Sequence, residues 1–426
     1  MISRKRVVFT TFGSLGDLHP FLAMAVEWQR RGHVAVIATS ESYREKVESE
    51  GLVFASVRPE LPEKDNGPEI VARIMDMKRG PEFLIRQVMV PAIRESYEDL
   101  LLACEGADAI IGHPLTFAVP LVAHVNKIPW GYVVIAPTVI LSAYDPPHLA
   151  PAPWVSKLKR FGPRIYRLLF ALVRLRLQAW FNEVGRFSSE LGAFPVQSRP
   201  MGKDQFSPWL NLALFSSVLA APQPDWPKNT VLTGFTFYDR SGPEPGLSAE
   251  LDKFLESGPA PIAFTLGSAA VLDAGSFYTE SVRAAVKLGT RAVLLIGRQA
   301  ENRPNMHLPE TVHVSEYAPY SQLFAKCAAV VHQGGVGTTA QVLRAGKPML
   351  VMPYAFDQPD NGARVRRLGV GRIISRERYN GERAAVELSA LLDDPAYSRR
   401  AETIGRLVRM ENGAVFACDS IAARLF

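Results

Sequence analysis

Two glycine turns in this chain carry residues able to do chemistry, and they differ by one acid. The first is VVFTTFGSLGDLHPF, in which Asp17 and His19 follow Gly13 and Gly16. An apolar strand running into a glycine turn and then a helix opens a nucleotide-binding βαβ unit, whose helix N-terminus receives a phosphate. A carboxylate there repels the phosphate. The second turn is VVHQGGVGTTAQVLRAGKPMLVMPYAFDQPDNGARV, residues 330–365. His332 ends an apolar run, Gly334, Gly335 and Gly337 bend the chain, and Thr338 and Thr339 open a helix. Glycines admit an anion close to the backbone, free N–H groups and the helix dipole attract it, and the hydroxyls and imidazole add donors. No acid lies in this turn. A glycine-rich turn also serves as a plain strand-to-helix connection. The next apolar run, PMLVMP, favours the phosphate reading, because Asp357 and Gln358 follow it at the same sheet edge and suit sugar hydroxyls.

The elements that must position these residues are legible as alternation. Apolar runs VAVIAT, ADAIIG and GYVVIAP follow the first turn, and RAVLLIG, AAVVHQG and PMLVMP surround the second, with amphipathic stretches between them. A pseudo-repeat links the halves, VVFTTFGSLGD against PIAFTLGSAAV at 261–271. This pattern predicts an α/β chain with two Rossmann-like parallel-sheet domains, strand carboxyl ends lining a cleft between them. With 426 residues and 47% apolar content, two cores of roughly 200 residues each are expected. The boundaries read as an N-terminal domain at 1–221, a Pro/Gly/Asp-rich linker at 222–246, and a second domain at 247–405. A C-terminal helix at 406–426 is expected to pack back on the first domain.

Composition removes several classes of function. Cys104, Cys327 and Cys418 lie far apart without CxxC spacing, which suggests neither a disulfide framework nor a zinc cluster and fits a reducing cytoplasm. The basic-then-apolar MISRKRVVFTTFGS reads as a first strand rather than a signal peptide. No apolar run reaches a membrane span. The segment KLKRFGPRIYRLLFALVRLRLQAWF, 157–181, has two readings: a helix packed on the core with charges in water, or one lying on the inner face of an anionic membrane. A net charge of +6 without a dense basic tract argues against nucleic acid as a partner.

The stretch from Tyr317 to Gln358, with its YAPYSQLF, HQGGVGTTAQ and FDQ, resembles the nucleotide-sugar signature of family-1 glycosyltransferases, the UDP-glycosyltransferase superfamily of GT-B fold. GSLGDLHP is similar to the GSxGDxxP turn of the bacterial and sterol-modifying branch, which includes the sterol glucosyltransferases. APTVILSAYDPPH at 136–148 and APQPDWPKNTVLTGF at 221–235 resemble the rhamnosyltransferase subfamily that glycosylates hydroxyacyl lipids.

The resemblance implies a donor site in which His332, Gly335, Gly337, Thr338 and Thr339 hold the diphosphate of a UDP- or dTDP-sugar. Gln341 stands where many relatives have a glutamate on the ribose. Tyr317 stands where a tryptophan commonly stacks on the base, with a core tyrosine as the other reading. Asp357 and Gln358 bind the donor sugar, and Ser268 is a phosphate contact or a turn serine. The N-terminal domain takes the acceptor, so Asp17 becomes a candidate general base, against the reading that it only caps its helix. His19 is an alternative base. His113, in IIGHPLTF, and Tyr144 join His19 as acceptor-site candidates. The aromatic and proline-rich tract 136–154 implies an apolar hydroxylated acceptor.

No DxD triplet or metal-ligand spacing occurs, so neither metal nor cofactor is expected. One base opposite one leaving group then implies displacement with inversion. Three rivals stand beside this: a nucleotide-sugar epimerase, a non-catalytic nucleotide-sugar-binding protein, and an NAD-dependent oxidoreductase. The last is opposed by the absence of GxGxxG spacing and by Asp17 itself.

Overall fold

The computed structural model describes residues 4–60, 67–149, 152–193, 205–238 and 246–426. The chain divides into two compact units. In the first, apolar runs form β1 (Arg6–Thr10), β2 (Val34–Thr39), β3 (Val53–Ser56), β4 (Ala109–Gly112), β5 (Trp130–Val134), β6 (Leu210–Ala213) and β7 (Thr230–Leu232). They make one parallel sheet in the order β3-β2-β1-β4-β5-β6-β7. Val8 of β1 lies between Val36 and Ile110 in register. The central strands are apolar along their whole length because helices cover the sheet. Val7, Phe9, Ile37 and Ile111 meet Phe21, Leu22 and Trp28 of the helix Leu15–Arg30, with Ala417 and Ile421 of the helix Gly413–Leu425 in the same core.

In the second unit, β8 (Ile262–Thr265), β9 (Ala292–Leu295), β10 (Val312–Ser315), β11 (Ala329–His332), β12 (Met349–Val351) and β13 (Gly371–Ile373) form a parallel sheet ordered β10-β9-β8-β11-β12-β13. Phe264, Leu294, Val331 and Leu350 pack with Phe277, Tyr278 and Leu388. In each sheet the strand order reverses once, at β1/β4 and at β8/β11. A doubly wound sheet leaves a crevice at the carboxyl ends of the strands where its order reverses. Asp17 and His113 follow β1 and β4, while Ser268 and the HQGGVGTT turn follow β8 and β11.

The segments between the sheets differ from their sequence reading. Residues 230–232, inside the stretch expected as linker, form β7 and pair with β6. Residues 406–409 finish the helix Pro395–Arg409 of the second unit, so that only 412–426 belongs to the first. Asn412 caps the returning helix at Val415 N. The 157–181 segment is not one helix. A 3-10 turn, Pro153–Phe161, is followed by Gly162 at positive φ, and a new helix, Pro163–Gln178, begins on its proline. Among the described residues no helix is long and apolar enough to cross a membrane.

Candidate active site

Asp17 is the third residue of its helix and closes a capping box with Ser14: its Oδ2 accepts from Ser14 N at 2.8 Å and from Ser14 Oγ at 3.2 Å. The carboxylate folds back over Gly13, whose φ of +130° and missing side chain leave the room it needs. Tyr43 Oη holds the Gly13 carbonyl and Thr11 Oγ1 the Asp17 carbonyl. The cap reading is therefore realised. It does not exhaust the residue, because Asp17 Oδ1 lies 3.3 Å from His113 Nε2.

His113 is buried immediately after β4, its backbone N bonded to Thr10 O of β1. Its Nδ1 accepts from Leu115 N at 3.2 Å. That bond requires an unprotonated Nδ1, so a neutral ring carries its proton on Nε2, the nitrogen facing Asp17. The contact is not aligned as a formed hydrogen bond. A histidine thus stands behind an acid that remains partly exposed. The sequence marks both residues as candidates but not their pairing, because the acid comes from the turn after β1 and the imidazole from the turn after β4.

His19 stacks on Tyr238 with ring centroids 4.9 Å apart. Burial, with Lys46 nearby, pushes it down to about 3, which makes it a poor base at neutral pH. Tyr144, partly exposed, takes a hydrogen bond at Oη from Arg167 Nη2 at 2.8 Å. Its loop is clamped by a residue the sequence reading passed over. Asp225, in the quoted APQPDW motif, accepts from Ser142 Oγ at 2.6 Å and Ala143 N at 2.7 Å. A cavity of about 20 Å³ among Thr10, Val57, Met89, Ile93 and Leu115 has room for a water-sized group only.

In the second unit, the helix Val336–Ala345 starts from Gly335, which offers no capping side chain. The N–H groups of Gly337 and Thr338 meet no acceptor among the described residues. Gly334, at φ +93°, makes the bend, and a Cβ there would press on Val351 and the Gln358 carbonyl. Thr338 is nearly buried at the helix start, while Thr339 is fully buried with an unpartnered Oγ1.

Three expectations for this turn change. His332 points into the core: Nδ1 accepts from Gly334 N at 3.0 Å, Nε2 lies 3.3 Å from Met349 Sδ, and burial pushes the ring down to about 3. It is neutral and braces the turn rather than offering a donor to a diphosphate. The turn is also not free of acid. Asp357 Oδ2 returns to accept from Val336 N at 3.2 Å and from Asn361 Nδ2 at 2.7 Å. Gln358 turns its carbonyl back onto its own loop, accepting from Tyr354 N and Ala355 N, so that oxygen is already engaged. Phe356, just before this pair, holds φ +56°, a costly conformation for a bulky residue.

Ser268 is exposed in the turn after β8. Tyr317 is 71% exposed, which rules out the core reading. Gln341 carries a buried Oε1 without a partner. So does Gln333, absent from the sequence reading, whose carboxamide lies against Gly267 and Gly335 and joins the two turns of this sheet edge. Among the described residues no three His, Cys, Asp or Glu side chains gather as a metal site.

Residues 7–144 match the glycosyltransferase family 28 N-terminal domain, and residues 281–414 match the erythromycin biosynthesis protein CIII-like C-terminal domain. Over 425 residues the chain is 32% identical to the O-mycaminosyltylonolide 6-deoxyallosyltransferase of Streptomyces fradiae, an alignment covering 97% of this chain and 96% of that protein. It is 28% identical over 439 residues to a sterol 3-beta-glucosyltransferase of Arabidopsis thaliana, covering 99% of this chain but 66% of the plant protein. Among solved structures the glycotransferase of kitacinnamycin aligns with a TM-score of 0.75 at 22% identity, over 99% of this chain and 100% of its own. The glycosyltransferase VinC, in complex with DTDP, aligns at 0.68 and 18% identity over 98% of each chain. At these identities the structural likeness is one of fold.

Proposed function

The chain belongs to the GT-B glycosyltransferases that join a family 28 N-terminal domain to an erythromycin-biosynthesis-CIII-like C-terminal domain, and from that premise we propose its reaction. It transfers a sugar from a UDP- or dTDP-sugar to a hydroxyl of an apolar small molecule or lipid, with inversion and without a metal. Asp17 accepts the proton of the acceptor hydroxyl as the oxygen attacks the anomeric carbon. The bond from that carbon to the diphosphate breaks in the same displacement, and one displacement inverts the centre. His113, with its proton fixed on Nε2, positions the Asp17 carboxylate. The departing diphosphate is received by Gly337 N, Thr338 N and the Thr338 hydroxyl at the helix start, where the dipole favours negative charge.

The observation that carries the reading is the Asp17–His113 pair, 3.3 Å apart, at the switch point of a sheet whose companion sheet holds an uncapped helix start at its own. Support for a nucleoside-diphosphate donor comes from VinC and from a spinosyn rhamnosyltransferase, whose structures hold DTDP and thymidine diphosphate. Support for an apolar hydroxylated acceptor comes from relatives named for a tylonolide and for sterols. The test is a panel of UDP- and dTDP-sugars read by thermal shift, followed by mass spectrometry with a mixed acceptor library. The reading requires stabilisation by a nucleoside diphosphate and a glycosylated acceptor. Interconversion of the sugar without any acceptor would instead point to an epimerase.

A further inference from the structure

The helix Pro163–Gln178 is apolar on two sides. Its inner side, through Tyr166 and Phe170, closes a small core with Val155 and Ala143, and Tyr166 Oη donates to Val155 O at 2.7 Å. The outer side carries Leu168, Leu172 and Leu175, exposed by 59%, 56% and 66%. At 3.6 residues per turn these leucines fall within a sector of about 60°. Arg176 borders the stripe on one flank and Arg167 on the other, while Arg174 is half-buried with Asp225 nearby. Arg164 sits one turn before Leu168. Trp154 and Phe161, in the adjoining 3-10 segment, are also exposed. A helix packed on one side that shows three leucines on the other has an unfilled partner.

Charge decides what the partner is. Between Asp145 and Glu183 the chain has seven Lys and Arg residues and no Asp or Glu. We propose that the outer face of this helix docks the protein on the surface of an anionic lipid bilayer. Leucines lie in the acyl boundary, arginine stems snorkel to lipid phosphates, and Trp154 and Phe161 sit at headgroup depth. A second copy of the protein fits poorly, since two such faces bring like charges together. The proposal is independent of the donor and base assignments.

The experiment is cosedimentation of the full-length protein with phosphatidylcholine vesicles, and with vesicles containing phosphatidylglycerol, at low and high salt. The wild type is expected to bind the phosphatidylglycerol vesicles and to release as salt rises. Leu168→Gln with Leu172→Gln and Leu175→Gln is expected to weaken binding at least tenfold. Arg164→Glu with Arg176→Glu is expected to abolish the preference for anionic lipid. Because these residues are exposed, both variants should melt with the wild type and keep transfer to a water-soluble acceptor. Failure of the wild type to bind, equal binding by the leucine variant, or a wild-type dimer that this variant makes monomeric would overturn the proposal.

Discussion

Replacing Asp17 by Asn separates proton transfer from helix capping, and the structure sets a magnitude for each. Asn cannot accept the acceptor proton, and general-base assistance is worth about 10² to 10⁴-fold, or about 2.7 to 5.4 kcal/mol of barrier. The structural cost is smaller but not zero. Asp17 accepts from Ser14 N with one oxygen and faces His113 Nε2 with the other, and Leu115 N holds the ring proton on that nitrogen. An amide has one oxygen, so one donor is left facing an NH₂ group. Burial of such a mismatch costs about 1–3 kcal/mol, and partial exposure puts this site near the lower end. The first unit should therefore melt about 2–4 °C lower, rather than unchanged as shape alone suggests. The assays are kcat at saturating donor with an aliphatic alcohol and with a phenol, alongside thermal melting and UDP and dTDP affinity. Expected are a kcat loss of at least ~10², larger for the alcohol than for the already acidic phenol, and unchanged donor affinity. Near-normal kcat with a lower melting temperature would reduce Asp17 to a helix cap and refute the reasoning.

Thr338→Val should weaken UDP or dTDP binding by about 1–3 kcal/mol in calorimetry. Thr339→Val, which removes a buried hydroxyl without a partner, should leave both affinity and melting temperature nearly unchanged; equal losses from the two would displace the phosphate site. Asp225→Ala removes two hydrogen bonds to the 142–143 loop, together about 2 kcal/mol, and should raise the acceptor KM about tenfold while the donor KM stays put. A parallel rise in donor KM would count against an acceptor role for that loop. Burial holds His332 at about 3, so the unfolded chain takes up a proton between about pH 6.5 and 3 that the folded chain refuses. Its stabilising contribution is whole above that window and is lost as pH falls through it, by at most ~5 kcal/mol. His332→Asn keeps an acceptor for Gly334 N but does not titrate, so its melting temperature should fall less steeply with acid. Identical slopes would show that the ring is not the group responsible.

The fold was legible because each central strand is a short, wholly apolar run, and only a parallel sheet covered by helices buries both faces of such a run. The turn glycines and the start of the helix at Val336 were legible for the same local reason. What escaped was determined by long-range packing or by side-chain direction. Asp17 and His113 belong to adjacent strand ends that are far apart in sequence, so their pairing could not be read locally. Asp357 returns to Val336 across 21 residues, which no local pattern announces. His332 closes a strand in which every residue is buried, and its type alone did not say that its ring faces Met349. Asp225 lay within a recognised motif, but as an isolated Asp in a Pro-rich stretch it gave no sign of the loop it clamps. The break at Gly162-Pro163 could be read from those two residues, while the outward turn of Leu168, Leu172 and Leu175 could not.

The central claim is that Asp17 drives a single inverting displacement. The measurement that tests it most directly is the anomeric configuration of the transferred sugar, read by proton NMR on product made from an α-linked nucleoside-diphosphate sugar by wild type and by Asp17→Asn. The account predicts a β-linked product from the wild type and residual β product, formed at least ~10² more slowly, from the variant. An α-linked product, or wild-type rates of transfer without the Asp17 carboxylate, would contradict it.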